Sequence, residues 1–169
     1  MALSEGFRLF GNNGVVAHLL PIRPRFGELD PYNHVNHSVY LAWFEAARCE
    51  ALESIDLALH TLAVRGLQIV VTDVIVKYRR PARAGDDLLV ETAVTEIGGI
   101  TSTWSQRLIR TPRPEASGDE ARREVLCEAE VRAGVCDLDG RPTRAGASLK
   151  SDLIRLFVDP ERWRTEASK

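Results

Sequence analysis

Residues 25–48 read RFGELDPYNHVNHSVYLAWFEAAR, and this stretch passes from a turn into a helix. Turn-forming Asp, Pro and Asn crowd its first half. From Ser38 onward apolar residues recur at steps of three and four, the spacing of one face of an α-helix. These residues are Tyr40, Phe44, Ala47, Ala51 and Ile55. The pattern predicts an amphipathic helix of about five turns, with Asn36 or Ser38 as its N-cap.

Four strand-like stretches follow the helix, each rich in β-branched residues and bounded by turn formers. They are LQIVVTDVIVKY from residue 67, DLLVETAVTEI from 87, TSTWSQRLIR from 101 and EVLCEAEVRAGVCDL from 124. A fifth stretch, residues 18–27, contains two prolines and suits an edge strand. Because the connections are too short for crossover helices, the strands should be antiparallel. We therefore predict an α+β fold in which the long helix covers one face of a five-stranded antiparallel sheet.

The chain of 169 residues has the length of one domain. We predict a core over about residues 18–140, a short helix over about 148–157 and a frayed last dozen residues. Residues 111–123 are polar, with Pro and Gly, and should form an exposed loop between two hairpin strands.

Charge and cysteine content exclude several classes of protein. Lys+Arg 22 against Asp+Glu 24 gives a net charge of −2, so no general positive field points to nucleic acid or to an anionic membrane. Neither a basic leader followed by an apolar core nor a membrane-spanning apolar run is present. Cys49, Cys127 and Cys136 form no metal-binding spacing. A cytoplasmic protein with no nucleic-acid or membrane partner is expected.

The turn before the helix carries an unusual number of reactive side chains. Free N–H groups in the first turn of a helix, together with the helix dipole, can polarise a carbonyl. Asp30 lies seven residues before one such amide, that of His37. A carboxylate facing that donor could attack an acyl carbon or activate water. Asp30 could equally be a turn residue that bonds its own backbone, and His34 could orient Asp30, contact the substrate or simply fill the turn.

Three segments of the sequence resemble the hotdog-fold acyl-CoA thioesterases of the 4-hydroxybenzoyl-CoA thioesterase type. They are DPYNHVNHSVY at residues 30–40, FEAAR at 44–48 and YRRPARAGD at 78–86, and the resemblance covers about residues 22–138. It implies a helix wrapped by the sheet, two subunits sharing one continuous sheet, and active sites at their interface. It also implies that Asp30 is catalytic and that the His37 amide polarises the substrate carbonyl. The sequence is similar to plant acyl-ACP thioesterases as well, at His34, Val35 and Asn36.

Further residues are candidates for contacts with an acyl-CoA substrate. We expect Tyr40 to line the acyl pocket or to fill core, and Asn36 to lie at the site or to cap the helix. Asp73 interrupts an apolar strand, where its carboxylate should face water, a partner subunit or the site, and it is the second-choice acid. Lys77, Arg79, Arg80 and Arg83 gather at one strand end, where they could bind the phosphates of coenzyme A or remain as solvated charges. Asp30, His34 and His37 also permit a metal site, but we expect no metal, and no cofactor beyond the coenzyme A of the substrate.

The sequence thus predicts an acyl-CoA thioesterase that forms a homodimer or a homotetramer, since an isolated subunit would expose an edge strand. Two alternatives stay open. One is a hotdog hydratase or dehydratase. The other is a non-catalytic sensor that only binds acyl-CoA.

Overall fold

The computed structural model describes residues 17–112, 123–144 and 147–166. Its strands are β1 His18–Ile22, β2 Leu67–Tyr78, β3 Leu88–Ile97, β4 Thr101–Arg110 and β5 Glu124–Asp137. Its α-helices are α1 His37–Glu53, α2 Leu59–Val64, α3 Ala147–Leu153 and α4 Pro160–Glu166. Single 3-10 turns occur at Phe26–Glu28 and Ile154–Leu156.

The five strands form one sheet in the order β1-β3-β4-β5-β2, and every neighbouring pair is antiparallel. The predicted strand number, direction and approximate bounds are confirmed, as is the edge position of the proline-containing β1. Segment 79–87 crosses the end of the sheet to join β2 at one edge to β3 near the other. Most of the predicted loop at 111–123 lies outside the described residues.

Helix α1 has 17 residues and begins at His37, one residue before the predicted start. The apolar face predicted from the sequence is the buried face, because Tyr40, Phe44, Ala47 and Ala51 are each at most 3% exposed. These side chains pack in one core with Val90 and Val94 of β3, Trp104 and Leu108 of β4 and Val131 of β5. The predicted helix-on-sheet arrangement is confirmed.

Edge strand β2 leaves an unusual amount of apolar surface uncovered. Val71, Val74 and Ile75 are 49%, 44% and 55% exposed, in a strand whose inner neighbour β5 is largely buried. One side of β2 pairs with β5, and the register is irregular between Val71 and Asp73. The other side of β2 is therefore a free sheet edge. An exposed edge strand of this kind is the reason for the predicted oligomer.

The C-terminal part is more ordered than the sequence indicates. The predicted helix at 148–157 corresponds to α3 and the 3-10 turn that follows it. The expected fraying of the last dozen residues is wrong for the described ones, because α4 packs on the sheet face opposite α1. Val158 N–H donates to Val94 O at 2.9 Å, and Trp163 is only 7% exposed. The guanidinium of Arg107 lies 4.0 Å from the centroid of the Trp163 ring, a cation-π contact.

Two further observations complete the fold. Helix α2, which was not predicted, buries one side chain, that of Leu62, and six residues give too short a period to be detected. Over the described ranges, no helix has the length and apolar character needed to cross a membrane. That the whole chain forms a single domain stays a prediction.

Candidate active site

A small hairpin leads into helix α1. Leu29 and Val35 form an isolated antiparallel bridge. At its tip Asp30 N–H donates to His34 O at 2.7 Å, and Asn33 N–H donates to Asp30 O at 3.0 Å. Asn33 has a φ of 60°, a left-handed conformation that Asn tolerates better than most residues. The sequence DPYN therefore forms a tight turn that places Asp30 and His34 opposite each other.

The carboxylate of Asp30 is fixed by the turn on one side only. Its Oδ1 accepts the N–H groups of Tyr32 at 2.8 Å and His34 at 3.0 Å. Within the described residues, Oδ2 accepts no hydrogen bond. The turn role and the catalytic role considered for Asp30 are thus compatible, because each uses a different oxygen. His34 orients the Asp30 carboxylate through its backbone amide. The His34 imidazole makes no hydrogen bond within the described residues.

The first turn of α1 leaves one N–H unpaired. The Asn36 side chain accepts from Ser38 N at 3.0 Å and from Ser38 Oγ at 2.9 Å, so the predicted Asn36 cap is confirmed. Val39 N–H donates to Asn36 O at 3.0 Å. Among residues that the structure describes, no acceptor is present for His37 N–H. His37 as a whole is an exposed residue.

Aromatic rings surround this helix start. The hydroxyl of Tyr78 donates to His37 O at 2.9 Å. The Tyr78 ring meets the ring of His37 edge-on at 6.5 Å and that of Tyr40 at 5.3 Å. The Tyr40 hydroxyl accepts Ala82 N–H at 2.9 Å and is buried. Burial raises the pKa of both tyrosines, so their hydroxyls stay protonated at neutral pH.

Tyr40 therefore lies in the core of the subunit, which was one of its two expected positions. Trp43 is also buried, and its Nε1 donates to Glu28 Oε1 at 3.4 Å. The same carboxylate accepts Arg25 N–H at 2.7 Å through Oε2. Glu28 thus ties the segment before the hairpin to α1, a role that the sequence analysis missed.

The predicted cationic cluster at the end of β2 is not brought together at the site. Arg79 pairs with Glu128 at 2.9 Å, and Arg80 pairs with Glu124 at 2.7 Å. Lys77 and Arg79 point to the sheet face opposite α1. There they line a cavity of about 320 Å³ to which Glu128 and Glu130 also contribute. The sequence cannot reveal these carboxylates, because they lie on β5, some fifty residues away along the chain.

Arg83 is the member of the cationic set that lies beside the hairpin. It forms an isolated bridge with His34, and its backbone N–H donates to Asp86 Oδ2 at 2.8 Å. The Arg83 side chain is exposed and has no ion-pair partner in the described segments. It is thus the cation of the four that is both near Asp30 and available to a ligand.

Asp73 is not near the hairpin within one subunit. It lies five residues before Tyr78 on β2, which corresponds to about 16 Å along a strand. The residue is exposed in the middle of the free edge. Of the three positions considered for this carboxylate, those facing water or a partner subunit fit, and a place beside Asp30 of the same subunit does not.

Thiol and metal chemistry have little support at this site. Burial raises the pKa of Cys49, and it raises the pKa of Cys127 to about 12, so neither is a ready thiolate. The described ranges contain no group of three or more His, Cys, Asp or Glu side chains arranged to hold a metal ion.

Sequence reasoning also missed Tyr78. Its position as the last residue of an apolar strand, directly before RRPARAGD, indicates a strand end only. That it reaches the helix start follows from the place of β2 in the sheet. No signal in the local sequence could have indicated this contact.

The family model of the thioesterase-like superfamily matches residues 24–159. Acyl-CoA thioester hydrolase YbgC of Escherichia coli O6:H1 is 30% identical over 111 residues, which are 66% of this chain and 75% of that protein. The chloroplastic acyl-acyl carrier protein thioesterase ATL3 of Arabidopsis thaliana is 26% identical over 152 residues, which are 89% of this chain and 75% of that protein.

Among solved structures, a mutant of 4-hydroxybenzoyl-CoA thioesterase complexed with 4-hydroxybenzoyl-CoA superimposes with a TM-score of 0.71. The match covers 81% of this chain and 98% of that one, at 17% identity. A match at this identity shows a shared fold only, and that fold is the hotdog arrangement expected from the sequence.

Proposed function

This chain belongs to the thioesterase-like superfamily, and from that membership and the geometry of its helix start we propose that it hydrolyses the thioester bond of an acyl-CoA. It is a thioester hydrolase by relationship, since similar proteins are thioesterases. One observation carries the mechanism. Among the described residues, the His37 N–H at the start of α1 has no acceptor, and the adjoining hairpin holds the Asp30 carboxylate through Oδ1 only.

The chemistry needs a donor and a base or nucleophile. We assign the donor to His37 N–H, which stabilises the negative charge that develops on the thioester oxygen. Asp30 Oδ2 then acts in one of two ways. It takes a proton from water, whose oxygen attacks the carbonyl carbon, or it attacks that carbon itself to give an anhydride that water cleaves. Either route expels coenzyme A as its thiol and leaves the free acid, and neither draws on a metal or another cofactor.

The complete site belongs to an oligomer in this proposal. The free edge of β2 exposes Val71, Val74 and Ile75, and pairing with a second copy would extend the sheet and cover them. We place the acyl chain in an apolar slot at that interface, in a homodimer or a homotetramer. Asp73, in the middle of the edge, would then face the partner.

We propose fewer cationic residues as contacts for the phosphates of coenzyme A than the sequence suggested. Arg83 is retained as a phosphate contact, because it is exposed and adjoins His34. Arg79 and Arg80 are set aside because each already pairs with a glutamate. Lys77 is set aside because its cavity also contains two glutamates, which would repel a phosphate.

The function is tested by incubating the pure full-length protein with acetyl-CoA, palmitoyl-CoA and benzoyl-CoA while free thiol is measured. Release of thiol from at least one of them is expected. Tight binding without release would favour the acyl-CoA sensor instead. Hydration of crotonyl-CoA without thiol release would favour the hydratase.

Two substitutions test the assigned residues. Asp30→Asn keeps an oxygen to accept the Tyr32 and His34 amides, so the hairpin should survive while kcat falls by about 100-fold or more. Wild-type turnover in this variant would refute the role of Asp30.

The His37 donor can be removed without altering the helix. Proline is favoured at the first helical position, and Asn36, at φ −57° and ψ 135°, already has the conformation that a following proline requires. His37→Pro removes the N–H, whereas the control His37→Ala retains it. We expect His37→Pro to lose about 100-fold in kcat relative to His37→Ala. Equal activity of the two variants would exclude this donor.

We also propose a reducing compartment such as the cytoplasm. The three cysteines are all free, as is usual for proteins of that compartment. Expression in the periplasm and in the cytoplasm of a bacterial host, followed by mass spectrometry, would test whether the protein tolerates oxidation.

A further inference from the structure

Tyr78 connects the last residue of β2 to the first residue of α1. Its hydroxyl donates to the carbonyl oxygen of His37 at 2.9 Å. Its ring also contacts the His37 ring edge-on, with an interplanar angle of 83°. One side chain therefore restrains both the backbone and the side chain of the residue that carries the unpaired N–H.

Neither helix formation nor packing explains the hydroxyl. A carbonyl in the first turn of a helix already accepts the N–H four residues later, so the phenol is a second donor to an oxygen that is satisfied without it. Tyr78 is 47% exposed, and its hydroxyl could bond to water instead. A phenylalanine would provide the ring contacts with His37 and Tyr40 equally well. The choice of tyrosine thus points to the alignment of His37.

The other hydrogen bonds in the first turn of α1 also restrain the backbone around His37. Ser38 N–H is taken by the Asn36 side chain and Val39 N–H by Asn36 O. The peptide group between His37 and Ser38 is therefore held at its N–H by Asn36 and at its C=O by Tyr78. The His37 N–H itself belongs to the preceding peptide group, whose oxygen, Asn36 O, accepts Val39 N–H at 3.0 Å. Because both peptide groups that flank His37 are held, its backbone dihedral angles are restricted, and so is the direction of its N–H.

We propose that Tyr78 is a positioning residue for thioester hydrolysis, acting through His37. Its hydroxyl keeps the His37 N–H directed at the position of the thioester oxygen. The inference rests on the proposed function. A donor that stabilises developing charge must be aligned before the reaction, and a small misplacement reduces the rate of the chemical step more than it weakens substrate binding.

The test is Tyr78→Phe, which removes one oxygen and retains the ring. We expect kcat to fall by about 3- to 10-fold, the effect of one hydrogen bond, while KM changes by less than about 2-fold. The matched control is Thr165→Val. The Thr165 hydroxyl also donates to a helix carbonyl oxygen, that of Glu161 at 2.9 Å, but it lies on α4, on the sheet face opposite α1, so wild-type kcat and KM are expected. Thermal unfolding of both variants verifies that they fold.

A second readout separates positioning from a general structural role. In the Asp30→Asn background, the fastest wild-type substrate is bound with a ¹³C label in its thioester carbonyl, and the infrared stretch is recorded. Polarisation by His37 N–H lowers this frequency relative to free substrate. Adding Tyr78→Phe should move the frequency back toward the free value, and adding Thr165→Val should not.

The outcomes distinguish the two proposals. If the wild type releases no thiol from acetyl-, palmitoyl- or benzoyl-CoA, the proposed function fails. If the wild type is active but Tyr78→Phe retains its kcat and carbonyl frequency, only the role of Tyr78 is overturned. A rise in KM with unchanged kcat would also overturn it, because that result would identify a substrate-binding residue.

Discussion

The side-chain amide of Gln106 donates to the carbonyl oxygen of Phe44 at 2.8 Å, which ties the middle of α1 to the centre of the sheet. The same nitrogen donates to Thr92 Oγ1 at 2.9 Å. Gln106 Oε1 in turn accepts from Arg48 Nη1 at 2.7 Å. A buried amide with three partners holds the helix in one position over the strands, because leaving any partner unpaired in the core is costly.

Gln106→Leu should destabilise the protein by about 2 to 4 kcal/mol, since it leaves the Arg48, Thr92 and Phe44 groups without this partner. Urea denaturation followed by circular dichroism measures the loss. Gln68→Leu serves as the comparison, because the Gln68 side chain makes a single hydrogen bond within the described residues, to Asp137 O at 2.8 Å, at a half-buried site. Equal losses for the two variants would contradict the importance of the central network.

Asn36→Ala should lower the free energy of unfolding by about 1 kcal/mol through loss of the helix cap. The reason is that Ser38 N–H loses its acceptor. Asn36→Asp keeps an oxygen in that place and should remain close to wild type. The measurement is thermal unfolding of the three proteins in parallel, and identical midpoints for all of them would show that the cap contributes nothing.

Val74→Lys should convert the proposed oligomer into monomers. Val74 is 44% exposed on the free edge strand, and a charge there would be buried by pairing with a second copy. Ile154→Lys is the control, because Ile154 is 63% exposed on a 3-10 turn that contacts β3, toward the other edge of the sheet. Light scattering after size exclusion gives the masses. A wild type that is monomeric and fully active would contradict the interface.

His18 should make the protein less stable in mild acid. Burial lowers its pKa below the 6.5 of an unfolded chain. The unfolded state therefore binds a proton at His18 more tightly than the folded state does. Well above pH 6.5 this difference does not affect the free energy of unfolding, and as the pH falls below that value the free energy of unfolding decreases progressively. Unfolding free energies at pH 7.5 and 5.5 should differ more for wild type than for His18→Leu. His60→Gln, at an exposed position, should behave like wild type.

Features encoded locally in the sequence were predicted correctly. The three- and four-residue spacing from Tyr40 to Ala51 arises because one helix face contacts the sheet. The spacing therefore identifies which helix residues are buried. Alternating β-branched residues likewise mark β2 to β5. Asn36 as the cap follows from its side-chain chemistry and its place before the apolar repeat.

Long-range contacts were the part that the sequence could not provide. The pairing of Arg79 with Glu128 depends on the strand order, which no local pattern encodes. The contact of Tyr78 with His37 depends on it too. Helix α4 was missed because its burial rests on one side chain, Trp163, lying over Arg107. A seven-residue helix anchored in this way has no detectable periodicity.

The three tryptophans occupy three separate environments in the molecule. Trp43 is on α1 beside Glu28, Trp104 is inside the sheet core at 1% exposure, and Trp163 lies on the opposite face of the sheet against a cation. Their fluorescence therefore carries independent signals. Variants that keep a single tryptophan would report detachment of the C-terminal helix separately from melting of the core, and stopped-flow experiments could order these events in time.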